Sequence, residues 1–236
     1  MISKTGTLVI GPEVDAEADV GALIIEAAAG FPELVAVRER GRGLTLTYAQ
    51  LLGHVQAQAD GLLARGVRAG DHVVVAVPRS AEEIVAVLAV LSVGAAYVPM
   101  DASLPEPRLR SMLDRVRPSA VIGDFAAARA VARAALDPCA TVSPAAVTAQ
   151  PAAASRPWVH RDPGETAYIT FTSGSTGVPK GVRISHRGVV RLVRGASYLR
   201  RGPGERMLRL APLAFDASTL EIFCALATGS TLEIYP

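Results

Sequence analysis

Cysteine is scarce in this chain of 236 residues, which contains only Cys139 and Cys224. Their spacing matches no metal site, and Cys224 lies in an apolar run with helical spacing, so we expect reduced, buried thiols and a cytoplasmic protein. The four histidines stand singly, without the HExxH pattern or any paired spacing. The sequence therefore predicts no metal site formed by cysteine or histidine.

An excess of charge is also absent, because 24 basic and 22 acidic residues leave a formal net charge of +2. No dense basic run is present, so the sequence predicts no nucleic-acid partner. The uncharged stretch 84–100 is shorter than the roughly 20 residues of a membrane-spanning helix and is interrupted by Gly94. We interpret it as a helix, a turn and a strand, and we expect neither a membrane partner nor a signal peptide.

Apolar residues make up 50% of the chain, which predicts a substantial buried core in one large domain or two small ones. Strand-like and helix-like segments alternate along the chain. Helices are predicted over 20–29, 48–65, 81–91, 105–116, 126–136, 186–198 and 217–228, and strands over 35–38, 71–77, 95–100, 120–122, 167–171, 207–213 and 231–235. This order is typical of the α/β class, with a doubly wound, mostly parallel sheet and flanking helices.

The same alternation suggests a division of the chain. Residues 1–16 are interpreted as a leader, and 17–201 as a first α/β subdomain. Residues 202–236 are interpreted as the start of a second, similar β-α-β layer. The Ala-, Pro- and Ser-rich stretch 137–164 is interpreted as a long connection that has room for a short strand.

The stretch on which the functional interpretation depends is Thr172–Gly181, directly after the apolar strand 167–171. Its glycines allow close backbone approach to an anion, its hydroxyls can donate to phosphate oxygens, and Lys180 supplies positive charge. The chain has only two lysines and 22 arginines, so a lysine here favours a phosphate-binding role. An ordinary flexible loop is the alternative, whereas the glycine spacing excludes a P-loop.

Four motifs, in order, resemble those of a known family. They are LTYAQL at 46–51, LSVGAAYVPMD at 91–101, the stretch 168–181, and FDAS at 215–218. Together they resemble the amino-acid adenylation domains of nonribosomal peptide synthetases, which belong to the AMP-forming adenylating superfamily with acyl-CoA synthetases and luciferases. Phe171 stands where tyrosine is usual. The resemblance covers essentially the whole chain, but only the N-terminal half of a family domain.

The resemblance implies ATP-dependent activation of an amino acid to aminoacyl-AMP with release of pyrophosphate, using ATP and Mg²⁺. It implies nucleotide contacts from the loop, namely Thr172, Ser173, Gly174, Ser175, Thr176, Gly177 and Lys180. Among these, the implied catalytic residues are Lys180, Thr172 and Thr176, which act through positioning and charge neutralisation. The implied substrate-binding residues are Phe215, Asp216, Ala217 and Leu220.

Asp216 carries the expectation about substrate class, because the family uses an aspartate at this position to pair with the α-ammonium of an amino acid. A carboxylate in an otherwise apolar pocket is costly unless a cation meets it. The alternative interpretation makes Asp216 the N-cap of the following helix, a role for which Ser218 is equally suited.

The resemblance also implies partners: the amino acid substrate, a carrier-protein domain, the remainder of the adenylation domain and, as a further candidate, an MbtH-like accessory protein. Because the segments that supply the adenine contacts and the C-terminal lysine are missing, we expect these 236 residues alone to be inactive. Two other functions stay open, a carboxylic acid:CoA ligase of the same superfamily and a non-catalytic fragment. Asp216 distinguishes the ligase, since a plain acid offers no cation.

Overall fold

The structure is a computed structural model that describes residues 17–135, 139–149, 156–172 and 179–235. Seven α-helices and ten strands lie within these ranges. The helices are α1 Val20–Gly30, α2 Tyr48–Ala64, α3 Ala81–Ser92, α4 Glu106–Val116, α5 Phe125–Ala134, α6 His186–Gly195 and α7 Asp216–Leu226. The strands are β1 Val35–Glu39, β2 Leu44–Thr47, β3 His72–Ala76, β4 Ala96–Pro99, β5 Ala120–Gly123, β6 Ala140–Val142, β7 Thr166–Thr172, β8 Lys180–Ser185, β9 Arg206–Arg209 and β10 Thr231–Ile234.

The strands form two sheets. The larger has six strands in the order β6-β5-β3-β4-β7-β8, and all neighbours are parallel except the antiparallel pair β7–β8. The smaller has the order β2-β1-β10-β9, in which only β2 is antiparallel to its neighbour. The predicted α/β class, with a mostly parallel sheet and flanking helices, is confirmed.

The smaller sheet contains strands from both sides of residue 202, where the sequence predicts a boundary between two subdomains. The early strand β1 pairs in parallel with β10, so that Val37 lies opposite Leu232. The Thr231 hydroxyl also donates to the Val35 carbonyl at 2.7 Å. This pairing joins residues almost two hundred positions apart, a distance over which local patterns carry no information.

Local signals account for several helix ends. A capping box begins α2, in which the Thr47 hydroxyl accepts from the Gln50 N–H and the Gln50 side chain accepts from the Thr47 N–H. Ser80 caps α3 through the Glu83 N–H. After α3 the chain turns at Gly94, whose φ of +76° suits glycine, and enters β4.

Helix α3 is the part of the core that both sheets share. Every residue of α3 except Glu82 is buried. The helix contacts β3 and β4 of the larger sheet and β1 of the smaller one. A helix that is apolar on all sides is expected inside a core, which explains the uncharged stretch 84–100. Within the described ranges, no helix combines the length and the hydropathy that crossing a bilayer requires.

The buried hydroxyl of Tyr48 ties α2 to the end of α7. Tyr48 is fully buried, and its hydroxyl donates to the carbonyls of Ser230 at 2.8 Å and Ala225 at 3.2 Å. Burial also raises the pKa of this phenol. We expect Tyr48→Phe to lower the free energy of unfolding by about 1–2 kcal/mol, measured by urea denaturation, because it removes a buried donor. Tyr198→Phe is the control, since Tyr198 is 71% exposed and should show no change.

Candidate functional site

The loop singled out in the sequence connects two antiparallel strands, β7 and β8. Thr172 at the end of β7 lies directly opposite Lys180 at the start of β8, and Phe171 lies opposite Gly181. Residues directly opposite in a ladder project their side chains from the same face, so Thr172 and Lys180 flank one side of the loop entrance. Both are exposed. Residues 180 and 181, expected to belong to the loop, lie in strand β8 because they pair with β7.

The remaining predicted loop residues lie outside the described ranges. They are Ser173, Gly174, Ser175, Thr176 and Gly177. The two residues that frame them, Thr172 and Lys180, place the loop at the carboxyl end of β7, which is parallel to its neighbour β4. In open α/β sheets, ligands bind beyond the carboxyl ends of parallel strands, so the loop is at the expected edge.

Residues 210–216, which lead from β9 into α7, form the second part of the site, and we call them the 210–216 segment. Side chains of α7 form hydrogen bonds with several of its backbone groups. Glu221 accepts from the N–H groups of Leu210 at 3.0 Å and Ala211 at 3.1 Å. The Ser218 hydroxyl is shared between the carbonyls of Leu213 at 3.0 Å and Phe215 at 2.6 Å. A segment that is largely exposed is thereby given one conformation.

Two further contacts fasten the 210–216 segment and α7 to β7. The Thr170 hydroxyl donates to the Ala214 carbonyl at 2.8 Å, and the Thr219 hydroxyl donates to the Tyr168 hydroxyl at 2.8 Å. Tyr168 in turn stacks on the buried Tyr97, with ring centroids 5.0 Å apart. Burial raises the pKa of the Tyr168 phenol, and the nearby Asp216 carboxylate raises it further. Asp216 and the end of β7 that leads into the loop are therefore anchored to the same strand.

Asp216 is the first residue of α7, and its Oδ1 accepts from the Ala217 N–H at 2.8 Å. The N-cap position belongs to Phe215, which offers no capping oxygen. The predicted alternative, in which Asp216 or Ser218 is the N-cap, is therefore wrong, although Asp216 satisfies one N–H of the first turn. Negative charge is favoured at this position by the helix dipole.

The surroundings of Asp216 are more open than the sequence argument assumed. Phe215 is 62% exposed, and Asp216 and Ala217 are exposed as well. Leu220 is half-buried and packs against the main core. The described residues thus bring all four predicted substrate-binding residues onto the start of α7, but they do not enclose Asp216 in an apolar pocket.

A cavity of about 440 Å³ adjoins the 210–216 segment at the carboxyl ends of β3, β4 and β5. Sequence reasoning did not single out its polar lining, although Asp101 directly follows the predicted strand 95–100 and Asp124 lies two residues after the predicted strand 120–122. Asp124 caps α5 by accepting from Ala127 at 2.8 Å, and Asp101 accepts from the Ser103 N–H at 2.9 Å. The hydrogen bonds from Ser103 lower the pKa of Asp101. Both carboxylates therefore have local structural roles.

No group of three or more histidine, cysteine or acidic side chains that would hold a metal ion occurs among the residues that the structure describes. Magnesium is commonly held by substrate phosphates together with one or two carboxylates, and an acidic cage is not needed for that arrangement.

Comparison with known proteins gives concordant results. The profile of the family described as AMP-binding enzyme matches residues 24–236. The isonitrile lipopeptide synthase of Streptomyces coeruleorubidus is 42% identical over 219 residues, which are 90% of this chain and 14% of that protein. The phosphinothricin tripeptide synthetase PhsC of Streptomyces viridochromogenes is 39% identical over 217 residues, 89% of this chain and 19% of that protein. The chain thus spans less than a fifth of either relative.

Solved structures are similar as well. The N-terminal subdomain of Klebsiella oxytoca NpsA aligns with a TM-score of 0.79 and 28% identity, over 94% of this chain and 56% of that one. The AMPPNP-bound form of the nonribosomal peptide synthetase FmoA3 aligns with a TM-score of 0.80 and 30% identity, over 96% of this chain and 24% of that one. These similarities agree with the resemblance drawn from the four sequence motifs.

Proposed function

Because this chain belongs to the family of AMP-binding enzymes, we propose that it forms part of a domain that activates an amino acid with ATP. An oxygen of the amino acid carboxylate attacks the α-phosphorus of ATP, the bond to the β-phosphate oxygen breaks, and aminoacyl-AMP and pyrophosphate result. The observation that supports this most directly is the 2.8 Å hydrogen bond from Thr170 to Ala214. It holds the segment that presents Asp216 beside the strand that ends in the phosphate-binding loop.

The nucleotide side of the proposed site is the loop Thr172–Gly181. Thr172 and Lys180 flank its entrance, and a lysine ammonium acts on phosphate as a compact point charge. Phosphoryl-centre chemistry depends mainly on positioning and on neutralising charge, so Lys180, Thr172 and Thr176 are proposed as its catalytic residues. Magnesium, when bound with ATP, would neutralise further charge on the phosphates.

The amino acid side of the proposed site is the start of α7. Asp216 is an exposed carboxylate, anchored through its neighbours to β7, and it is available to pair with an ammonium group. Charge-assisted hydrogen bonds of this kind are roughly twice as strong as neutral ones. Phe215, Ala217 and Leu220 are proposed to contact the rest of the substrate.

The partners follow from the proposed reaction. A carrier-protein domain would accept the activated amino acid, and the remainder of the adenylation domain would close the site over Asp216. An MbtH-like protein is proposed as an accessory partner. A cytoplasmic location is proposed on the ground that Cys139 and Cys224 are both free thiols.

The test of this function is amino-acid-dependent ATP–pyrophosphate exchange by the complete domain that contains this chain. We expect Lys180→Ala to lower kcat/KM for ATP by about 100-fold, because a preorganised charge on the phosphates is lost. Arg191→Ala is the matched control, since Arg191 is an exposed cation on α6, and it should retain wild-type exchange. Equal activity of both variants would contradict the role of Lys180, and failure of every amino acid to support exchange would contradict the function.

A further inference from the structure

A buried ion network lies immediately before the 210–216 segment. Arg209, at the end of β9, is fully buried, and it links two helices. Its guanidinium is 2.9 Å from Glu83 of α3 and 3.2 Å from Glu221 of α7. Glu83 is 2% exposed, so one ion pair is removed from water almost completely. Desolvating charges is expensive, and such pairs often contribute little net stability compared with apolar side chains.

The same network holds the backbone of the 210–216 segment. Both oxygens of Glu221 accept from the Ala211 N–H at 3.1 Å, and one also accepts from Leu210. Arg209 donates to the Ala211 carbonyl, and Arg79 donates to the Leu210 carbonyl. Glu221 lies on α7 five residues after Asp216, so one carboxylate joins the beginning of the segment to the helix that Asp216 starts.

From this geometry we propose that Arg209 and Glu221 are positioning residues that set the location of Asp216 and thereby the affinity for the amino acid. This inference rests on the proposed function. The two side chains do not touch the proposed substrate; they act by fixing the backbone of the 210–216 segment. Substrate-positioning effects are sensitive to displacements of about 1 Å, so a loosened segment weakens recognition without altering the nucleotide loop.

The role of Glu83 is to fix Arg209 to α3, and through it to the core that both sheets share. Burial raises the pKa of Glu83 to about 7, an effect that Arg209 and Arg79 oppose and Glu221 reinforces. Without Arg209, a charged Glu83 would have lost its closest cation. The Arg209 guanidinium therefore links the 210–216 segment to the buried helix α3 and not to a group on the surface.

The kinetic test uses Glu221→Gln and Arg209→Gln in the complete domain, with Arg209→Lys as the conservative variant. We expect Glu221→Gln and Arg209→Gln to raise KM for the amino acid at least 10-fold while KM for ATP stays within about 2-fold, and Arg209→Lys to recover part of the loss. A parallel change in both KM values, or no change in either, would overturn the inference. If Arg209→Gln fails to fold, Glu221→Gln decides, because Glu221 is only partly buried.

The matched control is Glu233→Gln. Glu233 is also 2% exposed and paired with arginines, Arg38 and Arg40 at 2.7 Å each. It lies on β10 opposite Leu208, and the arginines of its ion pairs are outside the 210–216 segment. This variant should change thermal stability and leave both KM values at wild-type levels. If Glu233→Gln raised the amino acid KM as much as Glu221→Gln does, loss of any buried ion pair would be enough to weaken amino acid binding, and the specific role of Glu221 would be contradicted.

A second readout needs no enzymatic activity. Hydrogen–deuterium exchange of the same proteins should show at least 10-fold faster exchange at Leu210 and Ala211 in Glu221→Gln, and unchanged exchange there in Glu233→Gln. Unchanged exchange in Glu221→Gln would overturn the inference even if the enzyme proves inactive. This readout distinguishes a failure of the positioning role from a failure of the proposed function.

Discussion

An Asp216→Ala variant of the complete domain is expected to activate its amino acid with a kcat/KM about 100- to 1,000-fold below wild type. Removing one partner of a hydrogen-bonded charge pair from an enclosed site costs about 2–5 kcal/mol, and each 1.4 kcal/mol corresponds to a factor of ten. The loss should appear in pyrophosphate exchange at varied amino acid concentration. KM for ATP should change little, because Asp216 belongs to the 210–216 segment and not to Thr172–Gly181, the loop proposed to bind the nucleotide.

The control for Asp216→Ala is Asp114→Ala, which removes an exposed carboxylate from α4. It should have wild-type kinetics. An Asp216→Ala enzyme with unchanged kcat/KM for the amino acid would contradict the proposed ammonium contact. Thermal unfolding of both variants should stay close to wild type, because both carboxylates are exposed and neither is in the core.

The largest expected effect on stability is that of Leu88→Ala in α3. Leu88 is fully buried in the helix that contacts both sheets. Leucine-to-alanine changes in a core cost about 2–5 kcal/mol, and we expect a value near the upper end because well-packed neighbours on every side limit collapse of the cavity. The free energy of unfolding of a typical protein is only about 5–15 kcal/mol, so this cost is a large fraction of the total stability.

Denaturant unfolding measures the effect of Leu88→Ala as a fall in the midpoint with an unchanged slope. Leu208→Ala is the comparison, since Leu208 is a leucine that is 47% exposed on β9. Its cost should be below about 1 kcal/mol. Equal costs for the two leucines would show that α3 is not the shared core element described above.

Much of the local structure was predictable from the sequence because short-range chemistry determines it. Thr47 and Ser80 are residue types that favour the N-cap position, and they stand directly before the predicted helices 48–65 and 81–91; Gly94 interrupts the uncharged stretch at the turn before β4. Strand β9 is shorter than predicted because Glu221 accepts the N–H groups of Leu210 and Ala211, which leave the ladder. Strand β8 begins where the sequence pattern predicts loop, because Lys180 and Gly181 pair with β7.

Long-range contacts were not predictable in the same way. Glu83 was interpretable as a first-turn acid that favours the helix dipole, yet in the folded chain it is buried against Arg209, 126 positions away. Its neighbour Glu82 remains more accessible and pairs with Arg42. Nothing in the local pattern distinguishes the two glutamates. The motifs of the candidate site were predictable from the sequence, whereas the hydrogen bonds and ion pairs that orient Asp216 are visible only in the folded structure.

The most direct measurement compares an amino acid with its des-amino counterpart as substrates of the wild-type complete domain and of Asp216→Asn. The ammonium contact predicts that wild type activates the amino acid at least 100-fold more efficiently, in kcat/KM, than the des-amino acid, and that Asp216→Asn loses most of this preference. The same preference in both enzymes would show that Asp216 does not recognise the ammonium group, and the proposed site would be wrong at its central residue.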